Sequence, residues 1–295
     1  MIVNRDNLNL LFQGFNGAFI KGLGAAPGQW EKIAMAVPSA TASNVYPWLG
    51  KLPSMREWVG DRVIENLAQH DYTIKNLSFE QTVGVRRADI EDDQYGIYGP
   101  MFQDLGAQAG IHPNQLVFDA LANGHARACF DGKSFFAADH PVGETTASNL
   151  LAPGSNPQAA WYLLCTTRPI RPVIFQRRRA YTLTRLDRDT DANVFMRDEF
   201  LYGVDARVNV GYGLWQLAVR STKTLNNDNY GEARAVMCSY RDEAGKPLGL
   251  VPNLLVVPPT LEAAARKVVV SDRVSNGATN EWAGSAELLV SPWLA

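Results

Sequence analysis

The side chains through which this chain could do chemistry are four histidines, three cysteines and a run of alternating aspartates. His125 and Cys129 stand one helical turn apart, the spacing of a ligand pair. No second pair lies near them in sequence, so no metal site is expected. Cys129, Cys165 and Cys238 are far apart and odd in number, with no C-x-x-C between them. They fit neither a disulfide framework nor a zinc ribbon and read as reduced, buried thiols. Asp139-His140-Pro141 reads as a capped turn. In LDRDTDAN, Asp187, Asp189 and Asp191 match the first three ligand positions of a calcium loop. The sixth position is Ala192, where glycine is needed, and the twelfth is Asp198 instead of glutamate, so a solvated acidic turn is expected.

Other chemical signatures are missing. There is no G-x-S-x-G elbow and no phosphate loop, and Gly22-Leu23-Gly24 and Gly211-Tyr212-Gly213 lack the third glycine of a dinucleotide loop. No catalytic residue and no cofactor is expected. Arg177-Arg178-Arg179 is the strongest basic cluster and reads as a solvated turn or salt-bridging rim, or as an inter-subunit or phosphate-facing patch. It lacks the interleaved aromatics of a single-strand binder.

The whole composition is that of a globular protein. Of 295 residues, 46% are hydrophobic and 20% charged, and the net charge is −2, which excludes wholesale disorder and a strongly basic nucleic-acid binder. No stretch approaches the ~18 apolar residues that span a bilayer. The opening MIVNRDNLNLLFQGF lacks a basic region followed by an apolar core, so no secretory signal is expected.

The elements follow from periodicity. Leu8, Leu11, Phe12, Phe15 and Phe19 make a helical stripe over 3–21, capped by Asn4 or Asp6 and ended by Gly22 and Gly24. Such a stripe needs a cover, from its own domain or from a neighbouring subunit. Met55–Val63 and Tyr72–Val85 read as the arms of a long charged β-hairpin. An isolated hairpin is marginal in water, so it must lie on its own domain or on another molecule, and the charges mixed along both arms favour the second. Residues 97–125 read as one long helix, with a kink or restart at His112-Pro113 and the acids of Ile90–Asp93 at its positive end. Short strands are expected at Tyr162–Leu164, Val173–Phe175, within 200–219, at Leu254–Val257 and at Leu288–Val290. A helix capped by Thr260 is expected to run to Arg266, and 143–158 and 221–231 read as polar junctions.

A group of segments carries a family resemblance. His70–Phe102 (HDYTIKNLSFEQTVGVRRADIEDDQYGIYGPMF) resembles the major head subunits of Mu-like tailed phages and prophages, as do Met55–Arg62 (MREWVGDR), Phe130–Pro141 (FDGKSFFAADHP), Trp161–Gln176, Phe200–Gln216, Gly249–Arg266 (GLVPNLLVVPPTLEAAAR) and Ala286–Leu294. The resemblance implies an α+β Hong Kong-type tailed-phage capsid fold. It implies an N-terminal arm over 1–45 and an extended hairpin loop over 46–88. Residues 89–150 would form a peripheral domain with a spine helix at 97–125, and 151–295 an axial domain with the rest of the peripheral sheet. It also implies that the block NYGEARAVMCSY…AELLVSPWLA precedes the block WYLL…WQLAVRST, whereas here it follows.

The implied function is structural: a major capsid protein assembling with copies of itself, as hexamers and pentamers, into an icosahedral virion shell around double-stranded DNA. Scaffold, protease and portal would be assembly partners, the host cytoplasm the place of assembly, and DNA contact weak and non-specific. Expected inter-subunit contacts are the apolar Phe12, Phe15, Phe19 and Trp58 and the charged Arg56, Glu57, Arg62, Lys75 and Glu80. Removing residues 1–24 is then expected to leave a soluble subunit that builds no shells. Lys75-Asn76 is not expected to form an isopeptide link. The other readings are a metal-assisted hydrolase using Asp187, Asp189, Asp191 and His140, and a monomeric module presenting the hairpin.

Overall fold

The computed structural model describes residues 4–47, 49, 72–92, 96–153, 156–274 and 277–295. Helix α1 (Arg5–Ala25) opens with Asn4, whose side chain accepts from the Asn7 amide at 2.8 Å. Strands β1 (Ala34–Pro38), β2 (Ser43–Val45), β3 (Thr73–Lys75) and β4 (Leu77–Arg86) follow, then the short α2 (Arg87–Glu91) and the long α3 (Tyr98–Ala122). β5 (His140–Val142) and β6 (Thr145–Ala147) pair with each other. β7 (Leu150–Leu151), β8 (Trp161–Leu164), β9 (Val173–Leu186), α4 (Ala192–Arg197), β10 (Glu199–Tyr212) and β11 (Ala218–Ser221) come next. The chain closes with α5 (Asn227–Cys238), β12 (Leu254–Val257), α6 (Glu262–Val269) and β13 (Glu287–Val290).

Two sheets organise these elements. One has the order β1-β9-β10-β4, with β1 parallel to β9 and the other pairs antiparallel. Its β10 alternates strictly: Phe200, Tyr202, Val204, Ala206 and Val208 face a core, while Leu201, Gly203, Asp205 and Arg207 face outward. That is the period of a strand with one covered face. The second sheet has the order β13-β12-β8-β11-β7, and β8 and β12 are buried along their whole length, as strands covered on both faces are.

The core is correspondingly double. The larger part surrounds the five-stranded sheet; the smaller lies between α1, α3 and the β9–β10 ribbon. Helix α3 belongs to both: Phe102, Leu105 and Ala109 serve the smaller part, and Val117, Phe118 and Leu121 the larger. It runs unbroken through Pro113 for 25 residues, roughly 37 Å. The expected restart is absent. Pro113 forfeits one helical hydrogen bond, but the helix is buried on either side of it. Next to it Asn114 ties down the connection from α1, accepting from the Trp30 amide (2.9 Å) and donating to the Pro27 carbonyl (2.7 Å).

Several expectations are corrected. Arg177-Arg178-Arg179 lies in mid-strand, because β9 extends from Val173 to Leu186 between two hydrogen-bonding neighbours. The first turn of α3 carries no acid; Asp89 and Glu91 belong to α2, where Glu91 pairs with Arg87 (3.1 Å). Thr260 sits inside a 3-10 turn and caps nothing. The polar stretch 143–158 contains β6 and β7, and β7 joins the second sheet.

Candidate assembly surfaces and a buried polar cluster

The aromatic stripe of α1 meets its own chain. Phe19 is 1% exposed. The Phe15 ring stacks on Phe102 (centroids 4.1 Å, 23°) and meets Tyr202 edge-on at 5.5 Å. Glycines allow this approach: a Cβ on Gly22 would lie 1.8 Å from the Gln103 carbonyl oxygen, and one on Gly106 2.0 Å from that of Phe19. Phe15 and Phe19 are therefore corrected from inter-subunit anchors to core residues of the subunit, since a side chain already covered has no apolar area left to give a neighbour. Phe12 is half-buried, with the Arg185 guanidinium 4.5 Å above its ring. Arg185 also donates to the Leu8 carbonyl (3.0 Å), Asn9 Oδ1 (2.5 Å) and Asp187 Oδ2 (3.1 Å), so one β9 side chain fastens the start of α1.

The hairpin divides differently. Arg56, Glu57, Trp58, Arg62 and the arm Met55–Val63 lie outside the described residues. The arm expected at Tyr72–Val85 is β3 plus β4. β3 pairs with β2, and β4 pairs with β10 over ten residues. It is thus part of this chain's own sheet, a correction to the expectation that it rests on another molecule. Lys75 and Glu80 are exposed; Glu80 faces Asp205 across the ladder and accepts from Thr82 (2.9 Å). Asn76 is buried, donating to Ser39 Oγ and the Thr41 carbonyl and accepting from Gln176, each at 2.9 Å.

Asp187, Asp189 and Asp191 each have a structural task. Asp187 is buried beside Arg185, with burial pushing its carboxyl up and Arg185 pulling it back. Asp189 pairs with Arg87 at 3.1 Å, and Asp191 accepts from the Arg188 amide at 2.9 Å. All three lie where β9 leads into α4, by the smaller core, and His140 lies at the larger one. The hydrolase reading is overturned, since its four residues do not converge.

His140 instead joins residues that the sequence reading keeps apart. Its Nδ1 is 2.6 Å from Asp131 Oδ2, and Cys129 Sγ donates to Asp131 Oδ1 at 3.1 Å. The Asn149 amide is oriented by donation to the Phe135 carbonyl (2.7 Å) and by acceptance from the Ala137 amide (2.9 Å). His140 Nε2, 3.2 Å from Asn149 Oδ1, is therefore a donor. The ring is fully buried and stacks flat on Trp215 (4.2 Å, 6°).

Cys129, Asp131 and His140 are the one group of metal-ligand types found together among the described residues. Their separations are those of hydrogen bonds. Nitrogen and oxygen on one tetrahedral zinc would stand roughly 3.3 Å apart, given bonds of about 2.0–2.1 Å. The cluster is a polar staple that closes the 126–149 segment. The spacing C-x-D with a histidine nine residues on was a signal in the sequence, but nothing there showed that the turn at Gly132 (φ 79°) folds the three together.

Burial raises the Asp131 carboxyl, but hydrogen bonds from His140, Cys129 and the Lys133 amide outweigh it and hold the group below the ordinary carboxylate range. A depressed folded value contributes stability above the ordinary range and loses it as pH falls through the folded value. Asp131→Asn is expected to lower stability by about 2 kcal/mol near neutrality, because it removes the carboxylate that His140 Nδ1 and Cys129 Sγ both meet in a buried site. It should also flatten part of the acid limb of a urea-denaturation series taken against pH. An unchanged acid limb would show that the pair carries none of it.

A subunit of mixed helix and sheet, with one long helix shared between two cores and a long two-stranded ribbon, has the architecture of the Hong Kong-type tailed-phage capsid fold. Comparison with known proteins agrees. The chain is similar to a subunit of the bacteriophage JBD30 procapsid, with a TM-score of 0.89 and 44% identity, covering 99% of this chain and 100% of that one. It is 40% identical to the major capsid protein of Escherichia phage Mu over 100% of both chains. It is 42% identical to the Mu-like prophage FluMu major head subunit of Haemophilus influenzae over 90% of each. The family described as Mu-like prophage major head subunit gpT matches residues 8–294. The chain belongs to that family: it is a phage major head subunit, a structural protein and not an enzyme.

A single alignment spanning both whole chains leaves no room for a reordered block, so the expected departure in block order is withdrawn. Both blocks contribute to one sheet, β12 and β13 lying beside β8 and β11. Among the described residues no helix is long and apolar enough to cross a membrane.

Proposed function

We propose that this chain assembles with copies of itself, as hexamers and pentamers, into the icosahedral head shell of a Mu-like tailed phage enclosing double-stranded DNA. Assembly takes place in the host cytoplasm with scaffold, protease and portal proteins. The observation that supports this most is the similarity to the JBD30 procapsid subunit along almost the whole chain at 44% identity. The proposed division is an arm over 1–45, an extended loop over 46–88, a peripheral domain over 89–150 and an axial domain with the remaining peripheral sheet over 151–295. Contacts proposed between subunits are the uncovered edge of Phe12, together with Arg56, Glu57, Trp58, Arg62, Lys75 and Glu80.

The mechanism is additive. Each subunit offers several modest contacts in place of one deep one, and closure multiplies them. Exposed charge pairs contribute about 0–1 kcal/mol each, so they set register more than strength. A net charge of −2 favours weak, non-specific contact with packed DNA. Expression with the phage's other head proteins is expected to give closed particles in negative-stain micrographs. A chain that stays at the mass of one subunit under those conditions overturns the reading.

A further inference from the structure

A cavity of about 450 Å³ opens between α3 and the strands β4, β9 and β10. Its size is that of a small-molecule site. One end is an aromatic corner. The Phe79 ring stands edge-on to the His112 ring (centroids 4.4 Å, 64°), and Tyr181 meets His112 at 5.9 Å and 83°. His112 Nδ1 lies 2.7 Å from the Tyr181 hydroxyl, so helix and strand hold the two rings in place. All three rings are half-buried and line the cavity. Burial lowers the His112 imidazole below its ordinary value, so the corner carries no charge near neutrality. Neutral rings set at steep angles make the kind of cage that holds an ammonium group, whose charge is drawn to the ring faces.

The other end is a carboxylate. Asp104, Gln108 and His112 line the cavity at successive turns of α3, so Asp104 stands roughly 12 Å along the helix from the corner. The charge of the lining has one sign. Glu80 and Asp205 also line the cavity, and no lysine or arginine does. Asp205 is paired with Arg179, whereas Asp104 and Glu80 have no ion-pair partner among the described residues. A metal ion would use neither the rings nor the length of this cavity, because hard cations take oxygen ligands at short range. A long, thin molecule with a positive charge at each end uses rings, length and carboxylate together.

We propose that this cavity binds a linear polyamine, with one ammonium in the corner of Phe79, His112 and Tyr181 and another on Asp104. The proposal stands apart from the shell reading, because binding is measured on the subunit. Titration calorimetry of the full chain with spermidine, in about 0.15 M salt to screen loose surface attraction, is expected to show a saturable site with a dissociation constant of about 1 mM or tighter. Asp104→Asn, a surface change that spares the fold, is expected to weaken spermidine about fivefold and to leave n-butylamine, which has a single ammonium, unchanged. Phe79→Leu is expected to weaken both amines about fivefold by removing a ring face. A merely structural role for these residues would not separate the two amines. Absence of saturable binding, a spermidine affinity that neither variant moves, or displacement by an equal concentration of magnesium each overturns the proposal. So does tighter binding of N-acetyl-arginine amide than of spermidine, which would assign the cavity to a side chain of another protein.

Discussion

Gly106→Val is expected to destabilise the subunit strongly while leaving it able to fold in the cold. The substituted Cβ would lie 2.0 Å from the backbone oxygen of Phe19 and 3.0 Å from the backbone nitrogen of Leu23, and backbone cannot swing aside as a flexible side chain can. Overpacking in a tight core typically costs 1–3 kcal/mol, and a clash against helix backbone belongs above that range, at about 4 kcal/mol. Gly22 faces the same crossing from the other helix, 1.8 Å from Gln103 oxygen. The control lies in the same helix. Gly14 and Gly17 have open space where a Cβ would go, so alanine there should gain about 0.5–1 kcal/mol from helix propensity alone. Urea midpoints of Gly106→Val and Gly14→Ala should therefore move in opposite directions. Movement in the same direction would mean that α1 does not dock on α3 as described.

Deleting residues 1–24 is expected to give misfolded, insoluble chain, and not the soluble, assembly-defective subunit that the sequence alone suggests. Leu8, Phe15 and Phe19 all leave the smaller core with the deletion, and Phe102, Leu105 and Tyr202 lose their cover. Losing one such side chain costs about 2–5 kcal/mol, so losing three removes most of the 5–15 kcal/mol that holds a domain together. Solubility, near-ultraviolet circular dichroism and protease resistance of the truncated chain measure this directly. A soluble, cooperatively folding truncation would restore the free-arm picture.

The sequence was legible where local pattern and tertiary role coincide. The 3.6-residue stripe of α1, its Asn4 cap, the long α3 and the apolar run of β12 all stand close to where periodicity puts them. Misreadings arose where a distant neighbour decides. Arg177-Arg178-Arg179 carries no strand signal, yet β10 pairs with Arg177 and Arg179, and β1 reaches Arg177 from the other side. Pro113 signals a break, but burial on both flanks holds α3 continuous. A stripe of phenylalanines shows that something must cover it and not whose surface does so; the answer lay in the close approach of Gly22 on α1 to Gly106 on α3, far apart in sequence. The His140 cluster was opaque for the same reason, because the turn that assembles it is visible only in three dimensions. At the ribbon tip, Phe195-Met196 drew no notice in the sequence, since a short apolar run is unremarked until its exposure is known.

Helix α3 enters both cores, and this makes it a lever. A rotation of about 5° at one end of a rod roughly 37 Å long carries the other end through about 3 Å. A few degrees of slack around Val117, Phe118 and Leu121 would thus be enough to make the far end miss its mark. The accuracy with which one molecule can be laid beside the next is set by tightly packed side chains that no neighbour ever touches.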